Sequence, residues 1–302
     1  MARYFALSRT THGLLDIAAP AFCALLWLGG FPPLPTIILA LFAAFSAYTA
    51  TYTLNDLVGI KVDRLKFVEA GINPGYSVEA SAQRYPLAQN LIGIKGGLVW
   101  MATWFTFAFI SSYFLNPVIV LILFLAAILE IIYCMLLKVT YLRVLVSGLV
   151  KTSGPIAAIF AVDAHPSAGF IVLLFIWLFF WEVGGQNIPA DWNDTVEDRR
   201  VHAKTIPLQF GFKRAGAIVM IALTLTVAVS CFLPLISPAP LSLFYIIGSL
   251  VSGYFLLLRP GFQLYRSRGA SQAGRLFDKA SFYPFTQLVL IAGLLLTGNL
   301  IQ

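Results

Sequence analysis

The stretch "TLNDLVGIKVDRLK", residues 53–66, places two acids and three bases at the end of an apolar run that begins near residue 35. A second stretch, "DWNDTVEDRR", residues 191–200, does the same after the apolar run of residues 168–188. Working outward from these two, the chain of 302 residues is 59% hydrophobic and 11% charged. Soluble domains are about 25% charged. Apolar runs of about 18 residues or more recur, which predicts membrane-spanning helices. The alternation with period two that marks a membrane barrel is absent, so the expected fold is an all-α helical bundle. The start of the chain, "MARYFALSRTTHGLLDIAAPAF", lacks a compact apolar core with a small-residue cleavage site. It is expected to be a retained cytosolic segment rather than a signal peptide.

Hydropathy predicts nine spans in one polytopic domain over residues 1–302: 14–31, 35–55, 91–114, 117–136, 143–162, 168–188, 214–234, 240–258 and 281–300. Charge tests that count independently. With nine spans all 20 lysines and arginines fall on the side of the N-terminus, and the opposite turns hold none. A wrong count would scatter them. The positive-inside bias therefore predicts a cytosolic N-terminus and cytosolic motif segments at 55–90 and 189–213. The net charge of +7 follows from the same bias and calls for no nucleic-acid partner. It suits anionic lipid headgroups or a phosphorylated substrate. Cys23, Cys134 and Cys231 lie within spans without metal-ligand spacing and read as small buried residues. The two motif segments follow spans 2 and 6, and "NDLV" at 55–58 echoes "NDTV" at 193–196. This predicts a tandem four-helix repeat plus a ninth helix, each repeat supplying half of a site.

If span 2 stays helical to Asp63, then Asn55, Asp56, Gly59 and Asp63 share one broad face; Asp191, Asp194 and Asp198 share another. Carboxylates focused on one point repel, and a cation relieves that cost. An oxygen-only ligand set (Asn55, Asp56, Asp63, Asp191, Asp194, Asp198) suits Mg²⁺, which bridges carboxylates to substrate phosphates. Basic residues nearby, Arg64, Arg84, Lys138, Arg199, Arg200 and Lys204, suit phosphate oxygens.

These residues resemble the UbiA-type intramembrane polyprenyltransferases. "NDLVGIKVD", 55–63, is similar to the family's first aspartate motif; "DTVEDRRVHAKTIPLQFG", 194–211, is similar to its second at Asp194, Asp198, Arg199, Thr205 and Gly211. "RYPLA", 84–88, and "YCMLLKVT", 133–140, with Tyr133 and Lys138, are further echoes. The sequence departs from the family pattern at Gly59, where the middle aspartate is usual, at His202, where glycine is usual, and by about ten extra residues before Arg84. The resemblance implies transfer of a polyprenyl group from a polyprenyl diphosphate to a lipid-soluble acceptor, commonly an aromatic quinone precursor. It assigns the four aspartates Asp56, Asp63, Asp194 and Asp198 to catalysis with Mg²⁺. The competing readings are an intramembrane terpene cyclase on the same diphosphate site and a transporter.

An allylic cation needs dry, aromatic walls, and Trp104, Phe105, Phe107, Phe109, Tyr133, Phe175, Trp177 and Trp181 are the candidates. Lys151 lies inside span 5, where a charge is costly, and is expected to face a central cavity near the diphosphate. Asn187 is a candidate ligand four residues before Asp191. Glu182 and Gln186 are placed either to orient ligands of the second motif or to bind an acceptor hydroxyl. Asp16 and Glu130 are expected to pair with nearby bases, and His12 and His165 to be structural or solvated.

Overall fold

The computed structural model describes residues 2–67, 85–239, 241 and 243–301. Among these, nine helices are long and apolar enough to cross a membrane: α1 (Thr10–Leu28), α2 (Leu34–Lys66), α3 (Ile94–Leu115), α4 (Pro117–Lys138), α5 (Arg143–Val162), α6 (Ala168–Asn193), α7 (Ile206–Leu235), α8 (Leu243–Ser267) and α9 (Ala270–Thr297). A short helix, Ala2–Leu7, precedes α1, and another, Thr195–Arg200, joins α6 to α7. The described residues contain no strand.

The order of the spans agrees with the hydropathy, but their ends differ in one direction. α2 runs on to Lys66 rather than 55, α6 to Asn193 rather than 188, and α8 to Ser267 rather than 258. α7 begins at Ile206 rather than 214, and α9 at Ala270 rather than 281. All of these extensions lie at the end of the bundle that carries the aspartate motifs. The physical reason is length. The 33 residues of α2 make about 50 Å of helix, against roughly 30 Å of bilayer hydrocarbon. The surplus projects beyond the apolar layer, where polar side chains lower the hydropathy without breaking the helix. Arg64 and Lys66 in its last turn complement the negative end of the helix dipole. Residues 55–67, 189–193, 195–200 and 206–213 of the motif segments are therefore helical rather than loops.

Helix α2 packs against α3 and α4, α4 against α5, and α5 against α1. α1 also meets α9, α6 packs on α5 and α7, and α8 lies against α7 and α9. The core centres on α6, where Trp177, Trp181 and Trp192 are fully buried. α3 and α4 are the least buried helices and present apolar faces outward. Residues Glu182–Asn187 of α6 form a π-helical turn. Within it Gly184 and Gly185 let the backbone approach closely: a Cβ there would come within 2.8 Å of the Ala222 Cβ and 2.9 Å of the Ala280 Cβ.

One buried ion pair ties α1 to α5. Lys151 Nζ lies 2.6 Å from Asp16 Oδ2, and the Tyr52 hydroxyl of α2 donates to the same oxygen. Removing one partner of such a pair strands the other in a low-dielectric setting. Asp16→Ala is expected to cost about 3–5 kcal/mol, read as a fall in the thermal unfolding midpoint in detergent. The double change Asp16→Leu with Lys151→Met is expected to recover most of the loss.

Candidate active site at the polar end of the bundle

The projecting end of α2 carries the first motif. Asp56 is 2% exposed, and Arg9 Nη2 stands 3.1 Å from its Oδ1. Arg9 comes from the junction before α1, where it adopts a left-handed φ of 46°. Its guanidinium also lies over the Tyr52 and Tyr85 rings, at 5.5 and 5.7 Å. Asn55 is held by its neighbours: its Nδ2 donates to Glu130 Oε1 at 2.5 Å, and its Oδ1 accepts from Arg9 at 3.4 Å. Gly59, one turn on, leaves room that Asp63 uses. A Cβ at 59 would fall 2.9 Å from Asp63 Oδ2, so the Asp63 carboxylate leans across the place of the family's middle aspartate.

The second motif does not form one unbroken helical face. Helix α6 bends at Asp194 (φ −92°, ψ 15°), and the chain resumes as Thr195–Arg200. The bonds Asp194 N–H to Ala190 O and Asp198 N–H to Asp194 O bridge the bend. Asp191 faces Arg143 of α5, 3.7 Å away. That guanidinium lies 4.1 Å over the Tyr133 ring, and the Tyr133 hydroxyl accepts from Asn187 Nδ2 at 2.9 Å. Asp198 is 1% exposed, with Lys66 Nζ 2.5 Å from its Oδ1. Burial pushes the Asp198 carboxyl above its ordinary pKa, and the Lys66 ammonium pulls the other way. Arg200 closes the junction by donating to the Lys66 carbonyl at 3.1 Å. The two motifs thus meet through Lys66 and Asp198. After the motif, His202 takes a left-handed φ of 54°, a conformation that favours glycine. Gly211 (φ 74°) marks the break inside the start of α7.

A cavity of about 550 Å³ opens from these residues into the bundle. Arg9, Asn55, Glu130, Tyr133, Lys151, Glu182 and Asn187 line its polar end. Farther in, the walls are small and apolar: Ala24, Ala40, Ala44, Ala47, Ala158 and Ala161. The lining of α2 runs from Asn55 to Thr36, twenty residues whose Cα atoms span about 29 Å. Its aromatic walls are Phe31, Tyr48, Tyr52, Tyr133 and Phe277. Of the aromatics expected from the sequence only Tyr133 is among the lining residues. Trp177 and Trp181 belong to the core, and Phe107 is exposed.

Several other expectations shift. Arg64 is exposed and donates to Asn90 Oδ1 at 2.8 Å, away from the acids. Arg199, Lys138 and Lys204 are exposed; the last two share a corner, where the Lys204 N–H donates to the Leu137 carbonyl. Arg84 lies outside the described residues. Lys151 does line the cavity, but its partner is Asp16. His12 is structural rather than solvated: it is buried, lines the cavity and stacks on Phe277 at 5.3 Å. Sequence reading missed Arg9, Lys66 and Arg143 as the cations of the site. Their only signal was position at the polar ends of helices.

Among the described residues no three His, Cys, Asp or Glu side chains close on one point. The donors present are nonetheless all oxygens, and two of them, Asn187 Oδ1 and Asp198 Oδ2, are buried without a hydrogen-bond partner. Leaving such an atom unsatisfied costs about 1–3 kcal/mol. Hard, unsatisfied oxygens among carboxylates fit a divalent cation of the Mg²⁺ type.

The UbiA prenyltransferase family profile matches residues 17–285, and the chain belongs to that family. It is an integral membrane prenyltransferase. It is 27% identical over 206 residues to the digeranylgeranylglyceryl phosphate synthase of Pyrococcus horikoshii, covering 68% of this chain and 67% of that one. The fold is shared with a UbiA homologue of Archaeoglobus fulgidus bound to DMAPP and Mg²⁺ (TM-score 0.68, 16% identity, 95% of this chain and 99% of that one). It is shared equally with an apo UbiA homologue of Aeropyrum pernix K1 (TM-score 0.67, 18% identity, 98% of each chain).

The Lys66–Asp198 contact makes a direct prediction. Lys66→Met strands a buried carboxylate, so peptides covering 195–203 should exchange amide hydrogens at least tenfold faster, by mass spectrometry. Lys66→Arg should keep the wild-type protection.

Proposed function

We propose that the chain transfers a polyprenyl group from a polyprenyl diphosphate to a lipid-soluble acceptor, releasing diphosphate, with Mg²⁺ as cofactor and the active site on the cytosolic side. One observation carries this reading: the polar end of a long, largely apolar cavity is lined by Arg9, Asn55 and Asn187, neighbours of the buried motif acids Asp56 and Asp191. An anionic headgroup suits the polar end, and an isoprenoid tail suits the alanine-lined interior. The one-sided distribution of lysines and arginines along the sequence across the nine spans supports a cytosolic orientation.

In this reading Asp56, Asp63, Asp191, Asp194 and Asp198, with Asn55 and Asn187, hold the metal. Bound there, Mg²⁺ would neutralise the charge that builds on the departing diphosphate. Arg9, Lys66 and Arg143 already face the same acids and turn toward phosphate oxygens once those acids are engaged. As the allylic C–O bond lengthens, the faces of Tyr48, Tyr52 and Tyr133 favour positive charge on the prenyl carbon. The apolar lining keeps water from that cation.

The relative from Pyrococcus horikoshii is named for a glyceryl phosphate lipid. This favours an alcohol-bearing lipid acceptor over the aromatic quinone precursor expected from the sequence. The acids stand at helix ends and not at mid-bilayer, which speaks against the transporter reading.

Asp56→Ala and Asp198→Ala should each lower Mg²⁺-dependent diphosphate release from geranylgeranyl diphosphate by about 100-fold or more. Wild-type release in either variant would contradict the assignment. Gly59→Asp fills the space over which Asp63 leans. Half-maximal activity is expected at lower Mg²⁺, read from metal titrations of the purified protein.

A further inference from the structure

We propose that Glu182 is the acceptor-binding carboxylate of the cavity: its free oxygen receives the hydroxyl of the acceptor and takes that proton as the new bond forms. The inference rests on the prenyl-transfer reading above and names the chemistry of the second substrate.

Glu182 is 6% exposed and lines the cavity. Its Oε1 accepts from Ser147 at 2.6 Å, while its Oε2 is buried with no hydrogen-bond partner. The residue opens the π-helical turn Glu182–Asn187, an irregularity that is common at functional sites. Three other polar side chains of the cavity have partners of their own. Gln186 donates to the Phe277 carbonyl and to Ser281 Oγ, which fastens it to α9. Glu130 Oε1 accepts from Asn55. Lys151 is paired with Asp16. Ser147 Oγ and Glu182 are thus coupled to each other, not to an acid of the second motif, so an orienting role for the metal ligands does not fit.

The charge of the group selects its ligand. In its ionised form the carboxylate accepts hydrogen bonds and repels an anionic diphosphate, which makes Glu182 unsuited to the donor's headgroup. It suits an O–H. Nine residues separate Glu182 from Asp191, about 13 Å along the helix axis, which leaves room for a diphosphate and the reacting carbon between them. In the transfer, the C1–O bond to diphosphate breaks and its electron pair leaves with the diphosphate. A lone pair on the acceptor oxygen forms the new O–C1 bond. The O–H proton passes to Glu182 Oε2.

The test uses the full chain in detergent with Mg²⁺ and geranylgeranyl diphosphate. The acceptor probes are an alkylglycerol phosphate monoether with one free hydroxyl and the same ether with that hydroxyl methylated. Donor binding is followed with the unreactive thiolodiphosphate analogue. Wild type is expected to prenylate only the free-hydroxyl probe. Glu182→Gln keeps the shape and can still accept from Ser147, so donor binding should stay within about twofold while kcat for transfer falls about 100-fold. Glu182→Asp should restore part of kcat. Transfer by Glu182→Gln at the wild-type rate overturns the role of Glu182 and leaves the prenyl-transfer reading intact. Wild type that binds the donor but prenylates neither probe, or both, overturns the hydroxyl assignment. Wild type that fails to bind the donor overturns both readings.

Discussion

Four buried aspartates near the polar end, Asp16, Asp56, Asp191 and Asp198, each face a cation from a different helix or junction. Arg9, before α1, reaches Asp56 on α2; Lys66 on α2 reaches Asp198 after α6. Arg143 on α5 reaches Asp191 on α6, and Lys151 on α5 reaches Asp16 on α1. A lone charge in this setting is expensive and a matched pair is tolerable. Van der Waals packing alone leaves apolar helices free to slide. These pairs act at fixed heights, so they set the register of α1, α2, α5 and α6 around the cavity. The site and the helix register are therefore one problem, solved by the same side chains.

That arrangement also explains how the cavity divides. Acids and bases gather where the helices outrun the bilayer, and alanines line the part within it. A substrate with a charged head and a greasy tail fits such a graded space. The π-helical turn of α6 sits at the boundary between the two zones. There the close contacts of Gly184 and Gly185 with α7 and α9 hold the turn in place.

Much of this was legible in the sequence. Hydropathy and the one-sided lysines and arginines fixed nine spans, and the two aspartate motifs marked which ends carry the chemistry. The helix ends were not legible, because Asp, Asn and Lys in "TLNDLVGIKVDRLK" lower hydropathy exactly where the helix keeps going. The cations Arg9, Lys66 and Arg143 were not legible because their pairing is tertiary. Nothing local distinguishes them from Arg64 or Arg199, which the fold leaves exposed. The aromatic walls were misjudged for the same reason: α3 is rich in aromatic residues, but it borders lipid, whereas Tyr48 and Tyr52 face inward. His202 is the reverse case. The backbone there is left-handed, so the family's glycine is explained by geometry, and histidine here adopts the same turn.

The most direct test of the central claim is photo-crosslinking with a prenyl diphosphate that carries a diazirine at the far end of its tail. With Mg²⁺ present, the account predicts labelling of the inward faces of α2 and α5, in the peptides holding Ala40, Ala44, Ala158 and Ala161, and competition by unlabelled geranylgeranyl diphosphate. Labelling confined to the outward face of α3, unchanged by the competitor, would contradict it.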